Sequence, residues 1–208
     1  MYNMQTPRIF SMYAEMTPNP MAMKFVADRM LLPEGVQLEF LKAEEANSSP
    51  VAVKLFELPF VKGVFITTNF ITVLKNDKAM WDDVVFDVRD YIKEFFQNGG
   101  IVWNGIAVKE ELKNGEVLEQ QPSMVSHNDP ANETEQKIIE ILETYVKPNV
   151  ENDGGMILFQ SFKEGIVTLQ LKGSCSGCQH SSQTLKAGVE TLLKRMVPGV
   201  QEVQQEMV

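Results

Sequence analysis

The chain has 208 residues, 44% of them hydrophobic, enough for one ordinary core or two small ones. Its net charge of −9 and pI near 4.8 argue against the sequence-independent nucleic-acid binding that Lys and Arg clusters support. The apolar runs, such as Val64 to Ile66 and Ile166 to Leu171, fall far short of the ~20 residues of a membrane span, so no membrane partner is expected either.

The opening stretch from Met1 to Arg8 has neither the apolar core of a secretory signal nor the Arg-rich pattern of an organelle leader. A bacterial-type cytoplasm is therefore the expected location. Ala22 to Phe25 and Val36 to Phe40 are β-prone segments bounded by Pro or Gly and predict short strands. Pro50 to Leu58 predicts a short helix, with Ser48 or Ser49 as its N-cap and Pro in the first turn. Val64 to Thr67 and Phe70 to Leu74 predict a hairpin around Thr68-Asn69. From Asp82 to Gln97, residues Val84, Val85, Val88, Ile92, Phe95 and Phe96 form one helical stripe, and Gly99-Gly100 stops it. Trp81, Trp103 and the phenylalanines of this half read as core.

The stretch from Lys113 to Gln136 is rich in Asn, Gln, Ser and Glu and nearly devoid of apolar residues, the composition of a linker. Beyond it, Glu133 to Lys147 carries Ile138, Ile141, Leu142, Tyr145 and Val146 at helical spacing, with Pro148 as the expected stop. Asp153-Gly154-Gly155 reads as a turn. Met156 to Phe162 and Ile166 to Leu171 predict an antiparallel hairpin through Lys163-Glu164-Gly165. A last helix, Gln179 to Met196, presents Leu185, Val189, Leu192, Leu193 and Met196 on one face, and Val200 to Val203 follows as a strand. The fold expected is α+β: two small α+β domains, 1–112 and 133–208, joined by a flexible polar linker, 113–132.

The chemistry concentrates in Lys172-Gly173-Ser174-Cys175-Ser176-Gly177-Cys178, between a predicted strand and a predicted helix. Cys175 and Cys178 are the only two cysteines of the chain. A pair at this spacing in a reducing compartment is a metal, cluster or redox site, since it cannot form a disulfide framework. At a helix N-terminus, unpaired amides and the helix dipole favour a thiolate, and Gly173 and Gly177 would let N–H groups point at the sulfurs. A common iron–sulfur cluster or a structural zinc needs four ligands, whereas one chain supplies two thiols. His180 reads as an exposed helix residue, and His127 lies far away in the linker. A symmetric dimer supplies the four thiolates. Two other readings stay open: a thiol–disulfide oxidoreductase in which Cys175 attacks and Cys178 resolves, and a zinc-bridged dimer.

The residues carry a resemblance. Pro148-Asn149-Val150-Glu151-Asn152-Asp153-Gly154-Gly155, Leu171 to Cys178 and Ser182-Gln183-Thr184-Leu185 resemble the C-terminal domain of the NifU/Nfu family. Thr17 to Phe25, Val61-Lys62-Gly63-Val64 and Asn69 to Val73 resemble the N-terminal domain of Nfu proteins. The resemblance implies a non-enzymatic carrier, dimeric when loaded, that binds a 4Fe-4S cluster through Cys175 and Cys178 of two subunits. A 2Fe-2S form is the alternative cargo. Its partners would be upstream cluster assembly proteins and apo iron–sulfur client proteins. Ligand exchange with a client leads to the expectation of solvent-accessible thiols, and the cysteine-free N-terminal domain would recognise clients or position the cluster domain.

Overall fold

A computed structural model of the protein describes residues 10–104, 108–111, 117–120, 127–175 and 179–206, with side chains described for 10–104, 127–175 and 183–206. The chain is α+β and forms two domains. In the first, strands β1 (Met12–Met16), β2 (Ala22–Ala27), β3 (Leu38–Phe40), β4 (Val61–Ile66) and β5 (Phe70–Lys75) make an antiparallel sheet of order β1-β2-β5-β4-β3. Helices α1 (Pro50–Phe56) and α2 (Trp81–Gln97) cover one face. Met23, Phe25, Ile71, Val73, Val64 and Ile66 point into this core and meet Val51, Leu55, Trp81, Val88 and Ile92.

Ser49 caps α1 as the sequence indicates: its hydroxyl accepts from the Ala52 amide and donates to the Val102 carbonyl at 2.6 Å. The stripe read on α2 is the packed one, with Val88 and Ile92 fully buried and Val84, Val85, Phe95 and Phe96 partly so. Trp81 is core, but Trp103 stays 38% exposed and Phe86 63%, which departs from their expected place. Strand β1 and a 3-10 turn at Ala43–Ser48 have no counterpart in the sequence reading. In β1, Met12 alone is buried among exposed and half-buried neighbours, so an edge strand leaves little pattern to read.

Within the stretch read as linker, β7 (Val117–Gln120) pairs antiparallel with β6 (Val108–Glu111). Residues 112–116 and 121–126 lie outside the described residues. Its last part is held to the second domain: Asn128 donates its amide to the Phe159 carbonyl at 3.0 Å and its carboxamide to the Gln160 carbonyl at 2.7 Å.

In the second domain, α3 (Glu133–Ile141) runs through a π-helical turn, Leu142–Val146, into α4 (Lys147–Asn152). Pro148 therefore does not end the helical path. It occupies the first turn of α4, where a missing N–H leaves nothing unpaired, and the π turn before it resets the hydrogen-bond ladder. Strands β8 (Gly155–Lys163), β9 (Ile166–Gly173) and β10 (Glu202–Gln205) form a sheet of order β10-β9-β8. β8 and β9 are the expected hairpin, turned at Glu164 (φ 50°) and Gly165 (φ 82°). β10 runs parallel to β9 and begins two residues later than the sequence suggests, after the Gln201 amide has met the Gly165 carbonyl at 2.7 Å. Helix α5 (Gln179–Met196) packs Val189 and Leu193 onto this sheet with Ile138, Leu142, Phe159 and Leu169.

Two sheet faces then meet. Met156 and Leu158 of β8 pack against Val26, Phe65 and Phe70 of the first domain. This is why every residue of β2 and β5 is buried with no alternation: helices cover one face and the second domain covers the other.

Candidate functional site

Cys175 sits at the end of β9, on the way to α5, as the strand-loop-helix reading requires. The chain is bent there by Gly173, whose φ of +67° suits glycine and whose added Cβ would come 2.6 Å from the Gly154 carbonyl oxygen and 2.8 Å from Phe65 Cδ1. Ser174 is tied to the turn after α4. Its amide donates to the Gly154 carbonyl at 3.1 Å, and its hydroxyl donates to the Asp153 carbonyl. Asp153-Gly154-Gly155 is thus the turn the sequence suggests, with Gly154 at φ +76°, and it is the Asp153 main chain that meets the loop.

The Cys175 thiol is turned inward, which differs from the accessible sulfur expected of a ligand. The residue is 6% exposed and belongs to the apolar core of the second domain. Its Sγ lies 3.7 Å from the Ser174 hydroxyl, and it faces Gly155 so closely that an alanine Cβ there would come within 2.6 Å of the sulfur. The absence of a side chain at position 155 makes the space the thiol occupies. Ser176, Gly177 and Cys178 lie outside the described residues, as does the side chain of His180. His127 is engaged elsewhere: Nδ1 accepts the Phe159 amide at 2.8 Å, so Nε2 carries the proton of the neutral ring and donates to Glu143 at 2.7 Å. Among the described residues there is no group of three or more His, Cys, Asp or Glu side chains placed to hold a metal ion, and no helix is long and apolar enough to cross a membrane.

The first domain supplies partners that the sequence reading missed. Asn19, itself buried, donates its carboxamide to the Ser174 carbonyl at 2.8 Å. Glu39 accepts from the Gly173 amide at 2.8 Å, so this N–H points at a carboxylate. Thr72 donates to the Gly154 carbonyl at 2.8 Å, and Lys24 reaches the Asn152 carbonyl at 3.3 Å. Lys24 also pairs with Glu15 at 3.0 Å and lies over the Phe70 ring. One signal was legible: a lysine in the strand AMKFVA marks its face as one that meets water or polar groups.

Burial between the domains shapes the charges around the loop. It pushes the Asp153 and Glu151 carboxyls up, against the opposing pull of Lys24 on the first and of Lys147 on the second. It pulls the Lys172 ammonium down, with the Glu39 carboxylate opposing.

Comparison with known proteins agrees with this two-part architecture. The family model for the scaffold protein Nfu/NifU N-terminal domain matches residues 12–99, and the model for the NifU-like domain matches residues 138–204. The NFU1 iron-sulfur cluster scaffold homolog, mitochondrial, of Drosophila sechellia is 36% identical over 189 residues, covering 91% of this chain and 62% of that protein. The protein of the same name from Drosophila willistoni is 35% identical over 192 residues, 91% of this chain and 61% of its own length. The chain thus spans less than two thirds of the length of these relatives. A solution NMR structure of a NifU-like protein from Saccharomyces cerevisiae, 22% identical, covers 50% of this chain and 92% of that one with a TM-score of 0.41. With both domain types matched in the order in which the two domains fold, the chain belongs to the Nfu/NifU family.

Proposed function

We propose that the protein is an iron–sulfur cluster carrier, without catalytic activity of its own, that binds a 4Fe-4S cluster through Cys175 and Cys178 of two copies and passes it to apo-proteins. The observation that carries this reading is that the chain's only two thiols fall, in sequence, between β9 and α5 of its NifU-like domain. Two thiols per chain satisfy the four-thiolate requirement only when two copies share the cargo. The relatives' printed name, iron-sulfur cluster scaffold, supports the cargo assignment.

Release is ligand exchange. A client thiol loses its proton as it bonds to iron, the displaced cysteine of this protein takes a proton up, and no electron changes hands. Cys175 has to leave its pocket against Gly155 before it can bind iron, so loading involves a movement of this loop. The expected setting is the cytoplasm, where thiols stay reduced. Upstream assembly proteins would supply the cluster and apo iron–sulfur proteins would receive it.

Anaerobic reconstitution with iron and sulfide, followed by metal analysis of the size-separated species, tests the proposal. About four iron and four sulfide per dimer, lost in Cys175→Ser and in Cys178→Ser, is the expected result. About two of each per dimer would indicate a 2Fe-2S cargo. A dimer holding only zinc would replace the carrier with a structural bridge, and a metal-free monomer cycling a Cys175–Cys178 disulfide would replace it with a thiol–disulfide oxidoreductase.

A further inference from the structure

The contacts made by the first domain on the cysteine loop come from one line of residues. The strand registers place Glu15 opposite Lys24, Lys24 opposite Thr72, Thr72 opposite Phe65 and Phe65 opposite Glu39. This is a single row across all five strands, on the face opposite the helices. Within it, Lys24 reaches the Asn152 carbonyl, Thr72 the Gly154 carbonyl and Glu39 the Gly173 amide, while the Phe65 ring lies where a Cβ at Gly173 would be. Asn19, on the loop before β2, extends the row to the Ser174 carbonyl. The row therefore grips the main chain on both sides of the turn that seats Cys175, and Asn19 holds the peptide joining Ser174 to Cys175.

We propose that the first domain is a cap on the cysteine loop: closed in the cluster-free chain, it holds Cys175 inward, and it must release the Gly173-Ser174 segment for the thiol to turn out and bind iron. The link to iron rests on the carrier reading; the cap itself does not. Two features make the closed contact reversible. Its buried apolar part is small, among the described residues Val26, Phe65 and Phe70 against Met156 and Leu158. It also buries an ammonium, Lys24. Interfaces of this kind between domains of one chain ordinarily open.

Geometry gives the coupling its direction. The closed contact holds the Gly173-Ser174 segment that leads into Cys175, and Cys175 then lies against Gly155. Cargo needs the thiol outside that pocket, so bound cargo and the closed contact exclude one another. Cargo therefore favours the open form, and opening favours cargo by the same factor.

The test is native-state alkylation of Cys175 by iodoacetamide in the reduced, metal-free full chain carrying Cys178→Ser, so that one thiol reports. Asn19→Asp keeps the acceptor that receives the Met21 amide while turning the donor that meets Ser174 into an acceptor. Thr72→Val removes the hydroxyl bonded to Gly154 with little change of volume. Each substitution should raise the alkylation rate by about fivefold or more, the factor that one net hydrogen bond represents, and the pair should raise it further. Thr72→Val, the milder change, serves alone if Asn19→Asp fails to fold. An unchanged rate in a folded variant whose domains have parted, judged by small-angle scattering, would overturn the cap and leave Gly155 and its neighbours as the whole protection. Normal cluster loading by the parent chain together with that outcome would leave the carrier intact. Faster alkylation in variants of a parent that never takes up iron would leave the cap and remove the carrier.

Discussion

Thr72 and Gly154, 82 positions apart, are joined by a 2.8 Å hydrogen bond from the threonine hydroxyl to the glycine carbonyl. Gly154 stands at φ +76°, and a Cβ added to it would lie 3.0 Å from Thr72 Oγ1, 3.3 Å from Lys24 Cβ and 3.3 Å from Thr17 Cγ2. Gly154→Ala thus meets backbone strain and a crowded seam at once. It should destabilise the protein by about 1–3 kcal/mol and loosen the contact between domains. Urea unfolding combined with small-angle scattering checks both, and a variant as stable and as closed as the parent would contradict the geometry.

The buried seat of Cys175 separates two substitutions that both remove the thiol. Cys175→Ser places a hydroxyl in the apolar core of the second domain and should cost about 1–2 kcal/mol. Cys175→Ala leaves a small void and should cost less. Neither should bind a cluster. Denaturant midpoints of the two metal-free variants give the comparison, and a serine variant more stable than the alanine one would show that the position is wetter than the structure has it.

The start of α3 is closed reciprocally: Asn132 accepts the Glu135 amide at 3.0 Å, and Glu135 accepts the Ala131 amide at 2.7 Å. Glu135 uses its second oxygen for the Phe162 amide of β8 at 3.2 Å. Asn132→Ala should lower stability by about 1 kcal/mol. Glu135→Ala should cost more, about 1–3 kcal/mol, because two backbone donors lose their acceptor. Thermal unfolding of both variants should reproduce that order.

Glu143 is partly buried, which by itself would raise its carboxyl, but Lys147 at 2.7 Å and His127 at 2.7 Å outweigh burial and bring it below 4.5. A carboxylate lowered on folding adds stability that is complete above its unfolded value and is lost as the pH falls through the folded one. The parent should therefore lose more stability than Glu143→Gln as the pH falls from neutral through and below the ordinary carboxylate range. Parallel urea titrations across that range would show it; equal slopes would mean that solvent screens the cluster of charges.

The elements that could be read from the sequence carry local marks: a helical stripe, a β-prone run bounded by turn residues, or a capping residue. The α2 stripe, the β8–β9 hairpin with its Glu164-Gly165 turn and the Ser49 cap are local, set by residues a few positions apart. Strand β1 escaped notice because an edge strand buries too little to make a pattern. The run through Pro148 escaped because a π turn, which no residue announces, lets proline stand in a first turn.

The sequence by itself determined the two-domain α+β plan, the family, and the thiol pair with its place between strand and helix, since all of these rest on composition, spacing and motif. Tertiary structure alone decided that Cys175 lies against Gly155 and that Asn19, Lys24, Glu39 and Thr72 hold its loop. These partners stand 82 to 155 residues from the groups they bind, and all four use main-chain atoms, of the loop itself or of the α4 end and turn beside it. Main-chain groups are the same at every residue, so such pairings leave no mark on the side-chain pattern and exist only once two sheets have been laid face to face.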